Sequence, residues 1–174
     1  NLYFDTKLQG NIENCEAVFV AVGTPQDEDG SADIKYVLSA TEEICKLKKD
    51  SGQHKLLLVT KSTVPVGTAD KIRAIIEKNE LSNTIEVASN PEFLREGCAI
   101  KDFMEPDRII IGCDNKNSEQ TLREIYSYFD DKKLFKSSTK TAELIKYAAN
   151  SFLATKISFI NEMANLCEKT GANI

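Results

Sequence analysis

The sequence predicts an α/β protein: a doubly wound, Rossmann-like and mostly parallel sheet, truncated at its N-terminal half and followed by one long helix. Two patterns predict it. Short apolar runs alternate with amphipathic stretches through residue 136, and between residues 141 and 170 neither Pro nor Gly interrupts a helical apolar repeat. Strands buried on both faces lose the apolar–polar alternation of a half-exposed strand, and right-handed crossovers place helices against them. The truncation follows from the opening residues. Nucleotide-binding sheets of this class usually begin with a strand and a glycine-rich turn, and no GxGxxG occurs in the 174 residues.

Residues 17–22 (AVFVAV) are the first strand candidate and run into Gly23. After a solvated turn at 27–31, residues 33–49 carry helical spacing through Ile34, Val37, Leu38, Thr41, Ile44, Cys45 and Leu47. Residues 55–60 (KLLLVT) form a second apolar run, and residues 68–80 a helix through Ile72, Ile75 and Ile76 that Thr68 can cap. Residues 85–89 (IEVAS) are a third strand. A short helix is expected to follow, with Asn90 as its N-cap and Pro91 in its first turn. Residues 108–112 (RIIIG) are a fourth strand, 118–129 a helix and 133–136 a brief edge strand. Residues 141–170 read as one helix of about 30 residues, about 45 Å long, with Gly171 as its stop. A helix of that length exceeds the globular norm and reads as a spine towards a further domain or as a dimer surface.

Composition narrows the function. The 22 basic and 27 acidic residues give a net charge of −5, which argues against a nucleic-acid surface because phosphate binding is driven by excess Lys and Arg. No apolar run approaches the ~20 residues of a membrane span, and no signal-peptide pattern opens the chain. Five cysteines at 15, 45, 98, 113 and 167, with wide spacing and no CxxC, make a disulfide framework or a zinc site a poor reading. They leave a reducing cytoplasm as the expected compartment. With His54 as its one histidine, the chain is poorly equipped for a serine–histidine hydrolase, and no metal site is expected.

Ligands of open α/β sheets bind at the carboxyl ends of strands, and four segments bear on that edge. Val22, Gly23, Thr24 and Pro25 end the first strand, either as a close-approach loop or as a plain turn. Ser62 and Thr63, within KSTVPVGT at 61–68, offer two hydroxyls, either to a ligand or water or simply as a polar loop. In SNPEFLREG at 89–97, a helix starting at Asn90 would offer free N–H groups to an anion and would place Glu92 and Glu96 on one face. The alternative is that these acids only complement the helix dipole. On the long helix, Lys146 and Asn150 stand at i and i+4 and point the same way. They are suited to stabilising an oxyanion, or else to facing solvent.

Taken in order, the strings AVGTP (21–25), SADIKYV (31–37), KSTVPVGT (61–68), SNPEFLREG (89–97), AIKDFMEPDRIIIG (99–112) and AELIKYAANSFLATKISFINE (142–162) closely resemble the nucleotide-sugar dehydrogenases, and among them the UDP-glucose 6-dehydrogenases. The resemblance implies oxidation of the 6-hydroxymethyl of UDP-glucose to a carboxylate, with two NAD per turnover and a cysteine-bound thioester on the way. GDP-mannose and UDP-N-acetyl-hexosamine dehydrogenases are the alternatives; PEFLREG disfavours the latter and PDRIIIG leans towards UDP-glucose. A non-catalytic dimerisation scaffold is the alternative outside the enzyme class.

By the same resemblance, Val22, Gly23, Thr24, Pro25, Ser62 and Thr63 would lie along NAD, and Thr63 would also hold a catalytic water. Glu92 would serve acid–base or hydrolysis chemistry, and Phe93, Leu94 and Arg95 would contact the UDP-sugar. Glu96 would approach NAD and substrate. Lys146 would stabilise the oxyanions, with Asn150 binding the reacting group beside it. Residues 1–138 would be the remainder of an NAD-binding domain, and 139–174 a central helix that pairs subunits and leads to a UDP-sugar domain. None of the five cysteines stands in the glycine-flanked context of the family's nucleophile, so the family's glycine-rich turn and cysteine are expected outside these residues. The 174 residues alone are expected to be inactive.

Overall fold

The structure, a computed structural model, describes residues 2–52 and 54–174. Five strands form one sheet in sequential order: β1 (Ala17–Val20), β2 (Leu56–Thr60), β3 (Ile85–Ser89), β4 (Ile109–Cys113) and β5 (Leu134–Ser137). The helices are α1 (Lys35–Asp50), α2 (Thr68–Lys78), α3 (Ala99–Met104), α4 (Lys116–Ile125) and α5 (Thr139–Thr170). β1, β2 and β3 are mutually parallel, β4 runs antiparallel to β3, and β5 is parallel to β4.

That single reversal makes the sheet doubly wound. Moving steadily across a sheet, right-handed crossovers keep every helix on one face. Val37, Ile44, Cys45, Ala69, Ile72 and Ile76 of α1 and α2 pack accordingly with Leu56, Leu58, Ile85 and Val87. Once strand direction flips at β4, the same handedness puts α4 on the other face. There Leu122 and the adjacent Tyr126 meet Leu57, Val59, Ala88, Ile109 and Ile111. β2 and β4 are buried along their whole length, which is why they read as unbroken apolar runs.

α5 returns to the α1–α2 face. Ser138 caps it, its Oγ accepting from Thr141 N at 3.2 Å. Gly112 permits the close approach of this helix: a Cβ there would lie 2.5 Å from Ala142 Cβ and 3.0 Å from Ser89 O. The predicted stop is where the sequence places it, Gly171 in the left-handed region at φ 73°, which glycine enters without a Cβ penalty. Past Asn150 the helix exposes Phe152, Leu153, Ile157, Phe159, Ile160 and Leu166.

Three local expectations are corrected. No helix starts at Asn90. Its backbone N–H continues the sheet to Thr60 O at 2.9 Å, and its buried carboxamide donates to Ile110 O at 2.8 Å, so the segment stays extended and the helix waits until Ala99. Glu92 and Glu96 therefore share no helical face, and no anion site of free N–H groups forms at 90–92. Thr68 does not cap α2: it lies inside the first turn with its Oγ1 turned to Pro65 O, and Gly67 takes the N-cap position. β1 also stops at Val20, leaving 21–25 as loop.

Candidate functional site

The loops that leave β1 and β2 are tied to each other at the carboxyl edge. Ser62 Oγ donates to Val22 O at 2.6 Å, and Thr24 Oγ1 donates to Thr63 O at 2.8 Å. Residues 22–25 and 62–63 thus form one wall, with Gly23 and Pro25 exposed. A Cβ added at Gly23 would meet no atom within 4 Å, so its backbone is open to a ligand.

β3 delivers the next segment to the same edge. Pro91 is buried and Glu92 is partly so. α5 crosses over Gly112 and carries Lys146 to this point with only 8% of its side chain exposed, and Nζ donates to Glu92 Oε1 at 2.8 Å. The other carboxylate oxygen of Glu92 accepts from Leu94 N at 2.6 Å. Burial opposes ionisation of Glu92, yet the Lys146 ammonium and the Leu94 N–H outweigh it and hold the carboxyl below its usual range. Lys146 Nζ also lies 5.4 Å from the centroid of Phe93, whose ring carries the Arg108 guanidinium at 4.3 Å.

Lys146 and Glu92, predicted separately as site residues, are therefore brought together. The 61–64 loop joins it, since Ser62 and Val64, on either side of Thr63, border the same small void as Lys146. Asn150 stands one turn beyond Lys146, exposed and without a side-chain hydrogen bond among the described residues. Leu94 and Arg95 are exposed, and Arg95 is clamped by Asp102, which accepts from its backbone N at 2.8 Å and from its guanidinium at 2.7 Å. Glu96 is exposed and pairs with no described residue.

Sequence reasoning missed Lys61, Tyr126 and Glu143, and gave Asn90 a different role. Lys61 donates to Asn90 Oδ1 at 2.9 Å and lies against the Tyr126 hydroxyl, which donates to the same oxygen. Burial pushes the Lys61 ammonium down to about 8, with Glu92 opposing and Lys146 adding to the fall. Lys61, Asn90, Glu92, Phe93, Arg108 and Tyr126 line a cleft of about 460 Å³. Glu143, only 3% exposed, is the actual cap of α2, accepting from Gly67 N at 2.7 Å and Ala69 N at 2.8 Å. Its spacing of three from Lys146 marked it as sharing that helix face. Nothing local to Asn90 or Tyr126 announced their pairing.

All five cysteines are free thiols, and burial pushes Cys45 up to about 11 and Cys113 up to about 12. Neither has the depressed pKa of a nucleophile. Among the described residues no cluster of His, Cys, Asp or Glu is arranged to hold a metal ion, and no helix is long and apolar enough to cross a membrane.

Residues 1–130 match the UDP-glucose/GDP-mannose dehydrogenase family, NAD binding domain, and residues 140–174 match the central domain of the same family. The UDP-glucose 6-dehydrogenase of Rickettsia conorii is 49% identical over 174 residues, and that of Rickettsia typhi 50% over 176. Each alignment covers 99% of this chain and 39% of the relative. Among solved structures, a UDP-glucose dehydrogenase from Pyrobaculum islandicum superposes with a TM-score of 0.91 at 38% identity, over 98% of this chain and 39% of that one. A GDP-mannose dehydrogenase from Pseudomonas aeruginosa gives 0.89 at 30% identity, over 97% of this chain and 39% of that one. The chain thus spans about two-fifths of the relatives it matches. On these matches, which take in both the strand-edge wall and the helix that carries Lys146, the chain belongs to the UDP-glucose/GDP-mannose dehydrogenase family.

Proposed function

We propose that the chain supplies the cofactor side of the active site of an NAD-dependent UDP-glucose 6-dehydrogenase, residues 1–138 as the NAD-binding part and 139–174 as the central helix. The observation that carries this reading is the Lys146–Glu92 contact at 2.8 Å, formed beside the wall of residues 22–25 and 62–63. That wall suits a dinucleotide: open backbone at Gly23, and hydroxyl-bearing loops locked to each other. NAD, when bound, supplies the hydride acceptor. Val22, Gly23, Thr24, Pro25, Ser62 and Thr63 would hold it, and Glu96 would approach it from the 89–97 segment.

The chain's own chemistry concerns protons and charge. Oxidising a primary alcohol builds negative charge on its oxygen as the proton leaves. An ammonium fixed in a poorly solvated site stabilises that charge without reorganising, by analogy with an oxyanion-hole donor worth about 3–4 kcal/mol. Lys146 fills this role, with Asn150 donating to the same oxygen from the next turn. Glu92, ionised near neutrality, orients the ammonium and takes part in proton transfer and hydrolysis, and Thr63 holds the hydrolytic water. Phe93, Leu94 and Arg95 border the sugar nucleotide. The thioester step falls to a cysteine outside residues 1–174, so this chain alone does not complete the four-electron oxidation.

The higher identity to UDP-glucose enzymes than to the GDP-mannose enzyme favours UDP-glucose. The exposed apolar side chains of α5 pair two subunits, and the compartment is the cytoplasm. The test is Lys146→Ala in the full-length enzyme. Turnover of UDP-glucose with NAD is expected to fall by roughly 10²–10³ while the dimer persists. Normal turnover with loss of the dimer would establish a scaffold instead. Titrating the wild-type enzyme with UDP-glucose, GDP-mannose and UDP-N-acetylmannosamine decides the substrate.

A further inference from the structure

Thr60 and Ser89 end β2 and β3 and are register partners. In a parallel pair, partner side chains leave the sheet on the same face, here the face that α5 covers. Each residue is 2% exposed, and neither hydroxyl has a hydrogen-bond partner among the described residues. Both line a void of about 10 Å³ that Ser62, Glu143 and Lys146 also border. Buried hydroxyls are almost always paired, so two adjacent exceptions facing one polar void need a common partner.

The other groups around the void are largely committed. Ser62 Oγ donates to Val22 O at 2.6 Å, and both Glu143 oxygens accept backbone N–H groups of α2. Lys146 is different. An ammonium has three donors, and one is used by Glu92. The void is about the size of one water and offers the two or more polar contacts such a site needs. An ammonium on its border excludes a metal cation.

We propose that the void binds one structural water, which bridges Thr60 Oγ1 and Ser89 Oγ to Lys146 Nζ and holds the ammonium from behind while Glu92 holds it from the front. Thr60 and Ser89 are then positioning residues, acting on the reaction through Lys146. This role rests on the function proposed for Lys146, whereas the binding of the water does not.

The test uses the full-length enzyme. A crystal structure that resolves waters should show one within hydrogen-bond reach of both hydroxyls and Nζ. Thr60→Val/Ser89→Ala should remove it and lower kcat by roughly tenfold, with KM for UDP-glucose changed by less than about twofold, because a displaced catalytic group costs rate more than binding. Thr60→Ser, which keeps the hydroxyl, should retain both the water and the rate. No density in the wild type, or a direct bond between the two hydroxyls, overturns the site. A water lost without a change in kcat overturns the positioning role. If the double variant does not fold, the wild-type density and Thr60→Ser still decide. Lys146→Met separates the two ideas: normal turnover there would sink the role of Lys146, while the wild-type density would still report on the water.

Discussion

Gly112→Ala should damage stability and turnover together, and the structure gives the size of both effects. The new methyl would sit 2.5 Å from Ala142 Cβ, with Ser89 O at 3.0 Å and Ser138 O at 3.1 Å. Ordinary contact begins near 3.4 Å, so α5 must retreat by 3.4 − 2.5 = 0.9 Å. Overpacking of this kind costs about 1–3 kcal/mol. At about 2–4 °C per kcal/mol for a domain of this size, the melting midpoint should fall by roughly 2–12 °C. Lys146 lies one turn past Ala142, so the same retreat stretches its 2.8 Å contact with Glu92. A misplacement near 1 Å costs about 10²-fold in rate at a tuned site. The assays are thermal unfolding and NADH formation by the full-length enzyme. Ala142→Gly in the same background should recover part of the turnover by removing the closest clash. Wild-type melting and wild-type turnover in Gly112→Ala would refute the claim that this contact sets the position of Lys146.

Lys146→Met should cost about 1–2 kcal/mol at pH 7, less than a fully buried pair because 31% of the Glu92 side chain is exposed. The folded pKa of Glu92 lies below its unfolded value, so the contribution is complete above about 4.3 and disappears as the pH falls through the folded value. Melts of the two proteins should converge in acid, and a constant gap would contradict this. Lys61, with its ammonium pushed down to about 8, binds fewer protons folded than unfolded. Wild-type stability relative to Lys61→Met should therefore rise between that value and about 10.4, and a flat difference across this window would show that the ammonium is not desolvated. Glu143→Gln leaves one of the N–H groups of Gly67 and Ala69 facing an amide NH₂, at a cost of about 1–3 kcal/mol. Its melting point should drop, and those two amides should exchange faster with solvent; unchanged exchange would remove Glu143 as the cap.

Most of the fold was legible because its signals are local. Fully buried strands such as 56–60 and 109–113 leave apolar runs in sequence, and the long helix leaves an uninterrupted period that ends at a glycine. The Asn90 segment misled for a physical reason. Asn followed by Pro is a good helix start in isolation, but here the carboxamide is claimed by Ile110 O, Lys61 and Tyr126, and those partners come from β4, the loop that leaves β2 and the turn that follows α4. Thr68 misled in the same way, because the better cap is a carboxylate 75 residues away in sequence.

The sequence by itself determined the alternation of strands and helices, the residues at each strand's carboxyl end, and the motifs that tie the chain to its family. These depend on periodicity and on residue types at short spacing. Only the tertiary structure decided that the predicted double winding comes from one antiparallel strand, β4. Only it brought Lys146 to Glu92 and set Thr60 and Ser89 around a shared void. Hydrogen bonds and close packing act between groups that chain folding brings near, and a distance of a few ångströms across 54 residues of sequence has no counterpart in local pattern.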